Sequence, residues 1–420
     1  MADETDEQQL REKIAFQRSF MANFPTLTTI AQKWGISSVE TKSKAQLIKE
    51  LSDNEEQLEL LLESERIAAA VRLQDELHPP ENSGDCPICF ETIKHVYSKI
   101  TSRFYCCGGW VCDKCRNERN STGMKKGFDE MFHGKCPLCR DTLINVSDQK
   151  RENSKILEHA NNGRAWAQSL VGSWYMDGTY GFALDKEKGL RFKQQAADQR
   201  DPGALAEMAL EYDKGDTVER NESKYLHYMK EAADLGHTEA QRIVGGNFES
   251  CDKKEHLHYI TLAASQGDPK ACSLLGLHFL YADCGLTKSL ILAKHYAEKS
   301  LEETDPEALP TFAYNFSNAL YHLSVERYER ALTIPGYSPI PAILFWLRRA
   351  LVGAYLPVGT VAKFISMIET KEKSRCANCN IKAEGSSLKR CIRCLGAWYC
   401  GKECQVQHWK AGHKFDCIKS

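Results

Sequence analysis

Ala167-Gln168-Ser169-Leu170-Val171-Gly172-Ser173-Trp174-Tyr175-Met176-Asp177-Gly178 is the stretch on which the fold turns. Two small residues, Ala167 and Gly172, stand five positions apart, and an aromatic, Tyr175, stands eight positions after the first. The same offsets return downstream in Ala204, Ala209 and Tyr212, in Ala240, Gly245 and Phe248, and in Ala271, Gly276 and Phe279. The anchors are 37, 36 and 31 residues apart. A second set interleaves with the first: Phe192, Tyr228 and Tyr259 each precede a small residue by four positions, namely Ala196, Ala232 and Ala263. Tyr296 with Ser300 continues that set, and Trp346 with Ala350 forms a fifth, more degenerate copy. Small residues at helical spacing let two antiparallel helices approach closely, and the aromatics fill the gap to the next pair. No single pair can bury its apolar face alone, so the copies must stack.

The pattern Ala-Gln-x-x-x-Gly-x-x-Tyr-x-x-Gly from Ala167 to Gly178 resembles the Sel-like repeat, a relative of the tetratricopeptide repeat. The resemblance covers residues 160–300 well and 301–356 loosely, and it implies a helical-repeat solenoid over 155–370. Later copies lack the final glycine of the pattern, Gly215 excepted, which leaves their inter-helix turns open. A solenoid of this kind presents an extended surface to substrate or adaptor proteins; the plainer reading is a spacer. The run Ile343-Leu344-Phe345-Trp346-Leu347 is too short to span a membrane and reads as a buried terminal helix.

The chain has 420 residues, 27% charged and 42% hydrophobic, the profile of a globular protein of about three domains. Its 55 Lys+Arg against 57 Asp+Glu give a formal charge of -2, so no field of the whole chain draws it to nucleic acid or anionic lipid. The start, Met1-Ala2-Asp3-Glu4, lacks the basic-then-apolar order of a signal peptide, and a cytoplasmic or nuclear location without a membrane is expected. Cysteine is the anomaly. Of 18, eight fall between Cys86 and Cys139 and seven between Cys376 and Cys417. In a reducing compartment, clustered Cys-x-x-Cys pairs read as thiolate metal ligands before disulfides. Cys251, Cys272 and Cys284 stand apart and read as small buried helix residues.

The first cluster offers Cys86, Cys89, Cys106, Cys107, Cys112, Cys115, Cys136 and Cys139, enough for two closed tetrahedral zinc sites. Cys86-Pro87-Ile88-Cys89 and Cys136-Pro137-Leu138-Cys139-Arg140 make residues 86–145 resemble a RING finger. That resemblance implies interleaved pairs, Cys86, Cys89, Cys112 and Cys115 on one zinc and Cys106, Cys107, Cys136 and Cys139 on the other. The sequence departs from the family at the third pair. Gly109 stands where a histidine ligand would, and glycine cannot ligate; Cys106 can serve with Cys107, or His133 can serve with Cys107 instead. The resemblance further implies a ubiquitin ligase acting by orientation, with Ile88, Pro137 and Leu138 docking a ubiquitin-conjugating enzyme and Arg140 as the linchpin bridging enzyme and ubiquitin. The helix after Cys115 reads Arg116-Asn117-Glu118-Arg119, where ligases often carry an apolar residue, and this weakens the dock.

The second cluster reads Cys376, Cys379, Cys391, Cys394, Cys400, Cys404, His413 and Cys417. Cys400 with Cys404, and His413 with Cys417, are four apart, which puts each pair on one face of a helix. With Trp398, Tyr399, Gln405, His408 and Trp409 around them, residues 376–417 resemble a MYND finger. The family's interleaving implies Cys376, Cys379, Cys400 and Cys404 on one zinc and Cys391, Cys394, His413 and Cys417 on the other, with His408 a rival ligand. It also implies proline-containing peptides as partners, held by Gln405 and Trp409. The SET motifs that accompany some MYND fingers are absent.

Residues 1–78 read as helical, and the linker 79–85 separates them from the first cluster. Trp34-Gly35-Ile36 followed by Lys44-Ala45-Gln46-Leu47-Ile48-Lys49-Glu50-Leu51 resembles a SAP-type DNA-binding module over 23–52. Four lysines against two glutamates there give little charge for DNA, and a helical hairpin with Leu47, Ile48 and Leu51 as core is the plainer reading. The expectation is a mainly α protein: a helical-repeat solenoid flanked by two binuclear zinc modules, with about four structural zinc ions. Its function would be a RING-type ubiquitin ligase that recruits proteins through solenoid and MYND finger. The alternatives are a non-enzymatic zinc-finger adaptor, in transcriptional regulation for instance, and a nuclear regulator whose N-terminal helices touch DNA.

Overall fold

The computed structural model describes residues 2–33, 44–79, 84–93, 101–112, 115, 135–136, 138–140, 149–246, 252–302, 305–330, 332, 338–351, 358–379, 381–382, 388–414 and 417–419. Two long helices open the chain, α1 (Ala2–Lys33) and α2 (Lys44–Leu77). Two short hairpins follow, β1 (Gly84–Asp85) with β2 (Thr92–Ile93) and β3 (Thr101–Arg103) with β4 (Trp110–Cys112). The repeats are α3 (Gln149–Asn161), α4 (Ala165–Asp177), α5 (Lys186–Asp198), α6 (Pro202–Lys214), α7 (Glu222–Asp234), α8 (Thr238–Gly246), α9 (Lys253–Ser265), α10 (Pro269–Tyr281), α11 (Leu290–Lys299), α12 (Leu309–Glu329), α13 (Ile340–Ala350) and α14 (Val358–Glu372). The chain closes with the hairpin β5 (Lys389–Arg390) and β6 (Trp398–Tyr399), then α15 (Lys402–His408) and a π-helical turn, Trp409–His413.

The chain divides into two compact units, one of residues 1–69 and 267–420 and the other of 70–266. Helix α1 falls in the first unit with the later repeats, and the earlier repeats fall in the second. In a stack where each pair touches its neighbours, no single core marks the outline of a domain.

Capping side chains start the repeat helices. Asp185, Asp201, Asn221, Asp268 and Ser289 each accept a backbone N–H three residues on, at 2.8–3.0 Å. Asp252 accepts those of Lys254 and Glu255. Pro202 and Pro269 sit in the first turn, where a missing N–H costs nothing. The ends are equally local. Gly178 and Gly215 close α4 and α6 in the left-handed region, at φ 64° and 72°. In the later copy without glycine, exposed Ala282 takes the same conformation at φ 57° and ψ 46°, so the turn survives at the cost of backbone strain.

The small residues lie where the helices of a pair meet. Ala167, Ala204, Ala240 and Ala271 are fully buried, as are Ala196, Ala232 and Ala263. A Cβ added at Gly276 of α10 would stand 3.2 Å from Ala293 O and Ala297 N of α11, so the two backbones are in contact there. At Gly245 of α8 it would meet Ile260 of α9 at 3.0 Å. The aromatics pair across the same helices in stacks, Tyr175 with Phe192 at 6.1 Å, Tyr212 with Tyr228 at 5.7 Å and Phe279 with Tyr296 at 5.8 Å. Lys188 and Lys224 extend over Tyr175 and Tyr212, 4.2 and 4.7 Å from the ring centres. Phe248 and Cys251 lie outside the described residues, while Cys272 and Cys284 are buried. Ile343, Leu344 and Leu347 of α13 are fully buried, and no described helix is long and apolar enough to cross a membrane.

At the N-terminus the sequence suggested a module of some thirty residues, whereas the helices run to 32 and 34 residues. Ile48 and Leu51 are buried with Leu10 and Ile14 of α1. Trp34-Gly35-Ile36 lies outside the described residues.

Two outcomes follow for stability. Gly276→Leu and Gly245→Leu should each lower the melting transition through overpacking worth about 1–3 kcal/mol; unchanged melting in both would mean that the helices are paired differently. Ala282→Gly should raise stability by about 1 kcal/mol in chemical denaturation, since glycine adopts the left-handed conformation without strain.

Candidate metal centres

Three of the Cys-x-x-Cys pairs, those beginning at Cys86, Cys136 and Cys391, turn in tight knuckles closed by a backbone hydrogen bond. In the first module, β1 and β2 flank Cys86 and Cys89; Cys86 N–H donates to Glu91 O at 3.0 Å, and Phe90 N–H returns to Cys86 O at 2.9 Å. Arg140 N–H closes the Cys136 turn in the same way at 3.0 Å, and Leu395 N–H closes the Cys391 turn at 3.0 Å. All three closing residues, Phe90, Arg140 and Leu395, have positive φ between 49° and 62°. The strain is local and recurs at these three turns.

Four groups of side chains result. They are Cys86, Cys89, Cys112 and Cys115; Cys106, Cys107, Cys136 and Cys139; Cys376, Cys379, Cys400 and Cys404; and Cys391, Cys394, His413 and Cys417. Within each group every ligand atom lies within 4.8 Å of the others. A zinc tetrahedron with bonds of about 2.3 Å has edges of about 3.8 Å. The observed separations fit: Cys89 to Cys112 is 3.7 Å, Cys107 to Cys136 3.9 Å, Cys379 to Cys400 3.7 Å, Cys391 to Cys417 3.8 Å, and Cys394 Sγ to His413 Nε2 3.7 Å. These sulfurs are far too distant for disulfides. Each group supplies four protein ligands, so a bound ion would have no vacancy for substrate and would serve structure.

Backbone amides point at several of the sulfurs. Cys112 N–H points to Cys86 Sγ at 3.4 Å, Cys115 N–H to Cys112 Sγ at 3.3 Å, and Gly396 N–H to Cys394 Sγ at 3.4 Å. At Cys86 burial works against ionisation, but the amides of Cys112, Cys89 and Ile88 outweigh it and bring the thiol down to about 6. Cys376 is likewise brought down to about 6, by the amides of Cys379, Cys400 and Asn378 against its burial. Burial, with the neighbouring His408, pushes His413 down to about 4, which keeps its ring neutral and able to ligate.

Gly109, which cannot ligate, has another task. Its N–H approaches Cys107 Sγ at 3.4 Å, and a Cβ there would lie 2.2 Å from Leu138 and 3.3 Å from that sulfur. The adjacent thiols of Cys106 and Cys107 face Cys139 and Cys136 respectively. His133 lies outside the described residues, as do Pro137 and Arg116 to Arg119. His408 stays out of its neighbouring group; its Nδ1 pairs with the Tyr399 hydroxyl at 3.0 Å, and its ring stacks on His413 at 5.0 Å.

Around the centres, Ile88 is half-buried against the core of its own module, Leu138 is exposed and Arg140 is exposed. Phe90, 79% exposed beside Cys89, is an apolar surface residue that sequence reading missed. In the C-terminal finger Gln405 is half-buried and Trp409 exposed, with Arg393 over its ring at 6.0 Å. Ile392 is 90% exposed there, also unforeseen. Trp166 of α4 holds the first module: it stacks on Tyr105 at 6.1 Å, lies under the Arg103 guanidinium at 5.2 Å, and packs on Gly108.

The second finger is joined to α13 and α14 by a polar clamp. Arg348 of α13 donates to the carbonyls of Cys394 and Leu395 at 3.2 and 2.8 Å and to Glu369 of α14 at 3.0 Å. Arg390 of the finger donates to Glu369 at 2.9 Å and to Leu395 O at 2.7 Å. Burial pushes the Glu369 carboxyl up, but hydrogen bonds from Arg348 and Lys373 and the charge of Arg390 prevail and hold it below its ordinary value. Nothing in the local sequence marks Arg348 for this role.

Metal analysis of reduced protein should find about four zinc ions per chain, because neither small module has much core to fold around without them; two or fewer would remove one module. Arg348→Met keeps the aliphatic stem and loses the donors to the knuckle. Zinc retention by the C-terminal finger against a chromogenic chelator should then weaken about tenfold, and unchanged retention would uncouple the clamp from the centre.

Comparison with known proteins agrees with this layout. The MYND finger family matches residues 376–417, and the Sel1 repeat family matches 167–201, 202–237 and 269–305. Among solved structures, the chain is similar to a Sel1 repeat protein from Oxalobacter formigenes, with 23% identity over 53% of this chain and 83% of that one and a TM-score of 0.40. It is also similar to c5321, a protective antigen of uropathogenic Escherichia coli strains displaying an SLR fold, with 20% identity over 54% of this chain and 46% of that one and a TM-score of 0.40. Sel1 repeats and a MYND finger on one chain, with thiol clusters at both ends of the repeats, make a zinc-binding scaffold for protein interactions.

Proposed function

We propose that this scaffold is a RING-type ubiquitin ligase, in which the module at 86–145 holds a ubiquitin-loaded conjugating enzyme while the repeats and the MYND finger recruit the protein to be modified. The observation that carries the reading is the interleaved pairing in the first module, with Arg140 exposed directly after the last thiol. Closed zinc sites leave orientation as the means of catalysis: a thioester held in one geometry before a lysine reacts as an intramolecular partner would. Arg140 suits the linchpin role because it is exposed directly after the last thiol and carries a multi-donor guanidinium. Exposed Leu138 and Phe90 add apolar area for the enzyme. On the MYND finger, Trp409 and Gln405 suit a proline-containing peptide in the polyproline conformation.

A second reading, an adaptor without transfer activity, draws on Ile88. Its side chain packs on its own module rather than standing free for a partner.

Ubiquitin discharge from a panel of charged conjugating enzymes separates the two readings. For a ligase, full-length protein should speed discharge, and Arg140→Ala should slow it at least tenfold while zinc content and enzyme binding stay near wild type. Both Arg and Ala sit at the same left-handed position, so the backbone strain is unchanged. No binding and no discharge with any enzyme would establish the adaptor. Discharge equal in wild type and variant would keep the ligase and free Arg140 of the role.

A further inference from the structure

The C-terminal finger carries charge out of proportion to its size. Residues 371–420 hold eleven Lys+Arg against four Asp+Glu, a net of +7 in a chain whose total is -2, so the remainder stands at -9. Seven zinc-bound thiolates against two divalent ions would take three of these charges and leave a net of +4. Part of the positive charge is engaged within the fold, where Arg390 and Lys373 pair with Glu369. Arg393, Lys402 and Lys410 are different. All three are exposed, and among the described residues no carboxylate pairs with them.

These cations surround an apolar surface. In α15 and the turn after it, His408 and His413 face inward at 4% and 0% exposure. Lys402, Val406, Trp409 and Lys410, at spacings of three and four residues, share the outward face. Val406 is 43% exposed and Trp409 38%. The knuckle from Cys391 to Cys394 adds Ile392, 90% exposed, and Arg393, whose guanidinium lies over the Trp409 ring at 6.0 Å and so joins the knuckle to the helix face. An exposed apolar side chain standing singly is ordinary, but several together inside a charged rim mark a contact surface.

The chemistry of the surface selects among occupants. A second copy would bring the same cations against each other. Single-stranded nucleic acid is held by bases stacked on aromatic faces, and here Arg393 already covers one side of Trp409 while Ile392 and Val406 offer no plane. A peptide with apolar residues and carboxylates matches both parts. We propose that the finger takes an acidic peptide, with apolar side chains on Ile392, Val406 and Trp409 and flanking carboxylates on Arg393, Lys402 and Lys410. This rests on the peptide-binding reading of the finger given above and adds a charge requirement to it. Exposed ion pairs are individually weak, and several acting together give about tenfold in affinity.

The test uses zinc-loaded full-length protein and fluorescein-labelled peptides that share one proline-and-leucine core and are flanked by glutamate, glutamine or lysine. In fluorescence anisotropy the glutamate peptide should bind about tenfold tighter than the glutamine peptide, and the lysine peptide more weakly than either. The advantage should vanish at about 1 M salt, where the screening length is about 3 Å. Arg393→Gln/Lys402→Gln/Lys410→Gln should abolish it, whereas Ile392→Ser should weaken all three peptides alike; zinc content equal to wild type checks that each variant keeps its finger. Should the triple variant lose zinc, Lys402→Gln/Lys410→Gln, which leaves the knuckle untouched, should give a smaller loss of the same sign. Equal affinity for the glutamate and glutamine peptides would overturn the charge requirement and leave the peptide reading standing. No binding to any of the peptides would overturn both. A labelled oligouridylate that binds more tightly than the glutamate peptide would overturn the proposal in favour of nucleic acid.

Discussion

Everything in the repeats depends on how closely two helix backbones can approach. At Gly276 there is no room for a side chain, because the carbonyl of Ala293 and the amide of Ala297 occupy the space a Cβ would need. That approach determines which faces of α10 and α11 meet. It also brings Phe279 over Tyr296 in a parallel stack, and so places the Tyr296 hydroxyl where Glu63 can use it. The same logic joins Gly245 to Ile260 within the other unit. A helix pair built on contact between backbones is stiff, and a stiff pair can carry polar groups on its outer face at fixed positions.

The zinc modules use a different source of order. Three of their knuckles are each closed by one backbone hydrogen bond and strained at Phe90, Arg140 or Leu395, and backbone amides lower the Cys86 and Cys376 thiols against their burial. Metal binding and folding are then one process. Each module is anchored to a helix next to it in a different manner. Trp166 offers an aromatic plane to Tyr105, Arg103 and Gly108, whereas Arg348, Glu369 and Arg390 form a charged clamp on the Cys391–Leu395 turn. Fingers held in this way present their surfaces to a partner together with the helices that carry them.

Much of this was legible because the information is local. Ala167, Gly172 and Tyr175 report a helix face through their spacing, and Asp201-Pro202 or Asp268-Pro269 announce a helix start by chemistry confined to one turn. Each Cys-x-x-Cys pair was legible for the same reason, whereas the way the pairs combine came from the resemblance to RING and MYND fingers. The departure at Cys106 and Cys107 was visible too, although the reason for Gly109, an amide donor in a space closed by Leu138, needed the fold.

By itself, then, the sequence determined the repeat, the paired helices and the Cys-x-x-Cys pairs, all of which rest on interactions within about forty residues of chain. Tertiary structure alone decided the rest. Glu63 and Tyr296 are 233 residues apart, and no periodicity relates them. Arg348 reads in sequence as the end of an apolar run and becomes the clamp of a finger 46 residues away. Ala282 shows the boundary between the two kinds of information. Its side chain favours helix, yet the packing of α10 forces it into the left-handed turn, because burying Phe279 and Leu280 outweighs the strain of one residue.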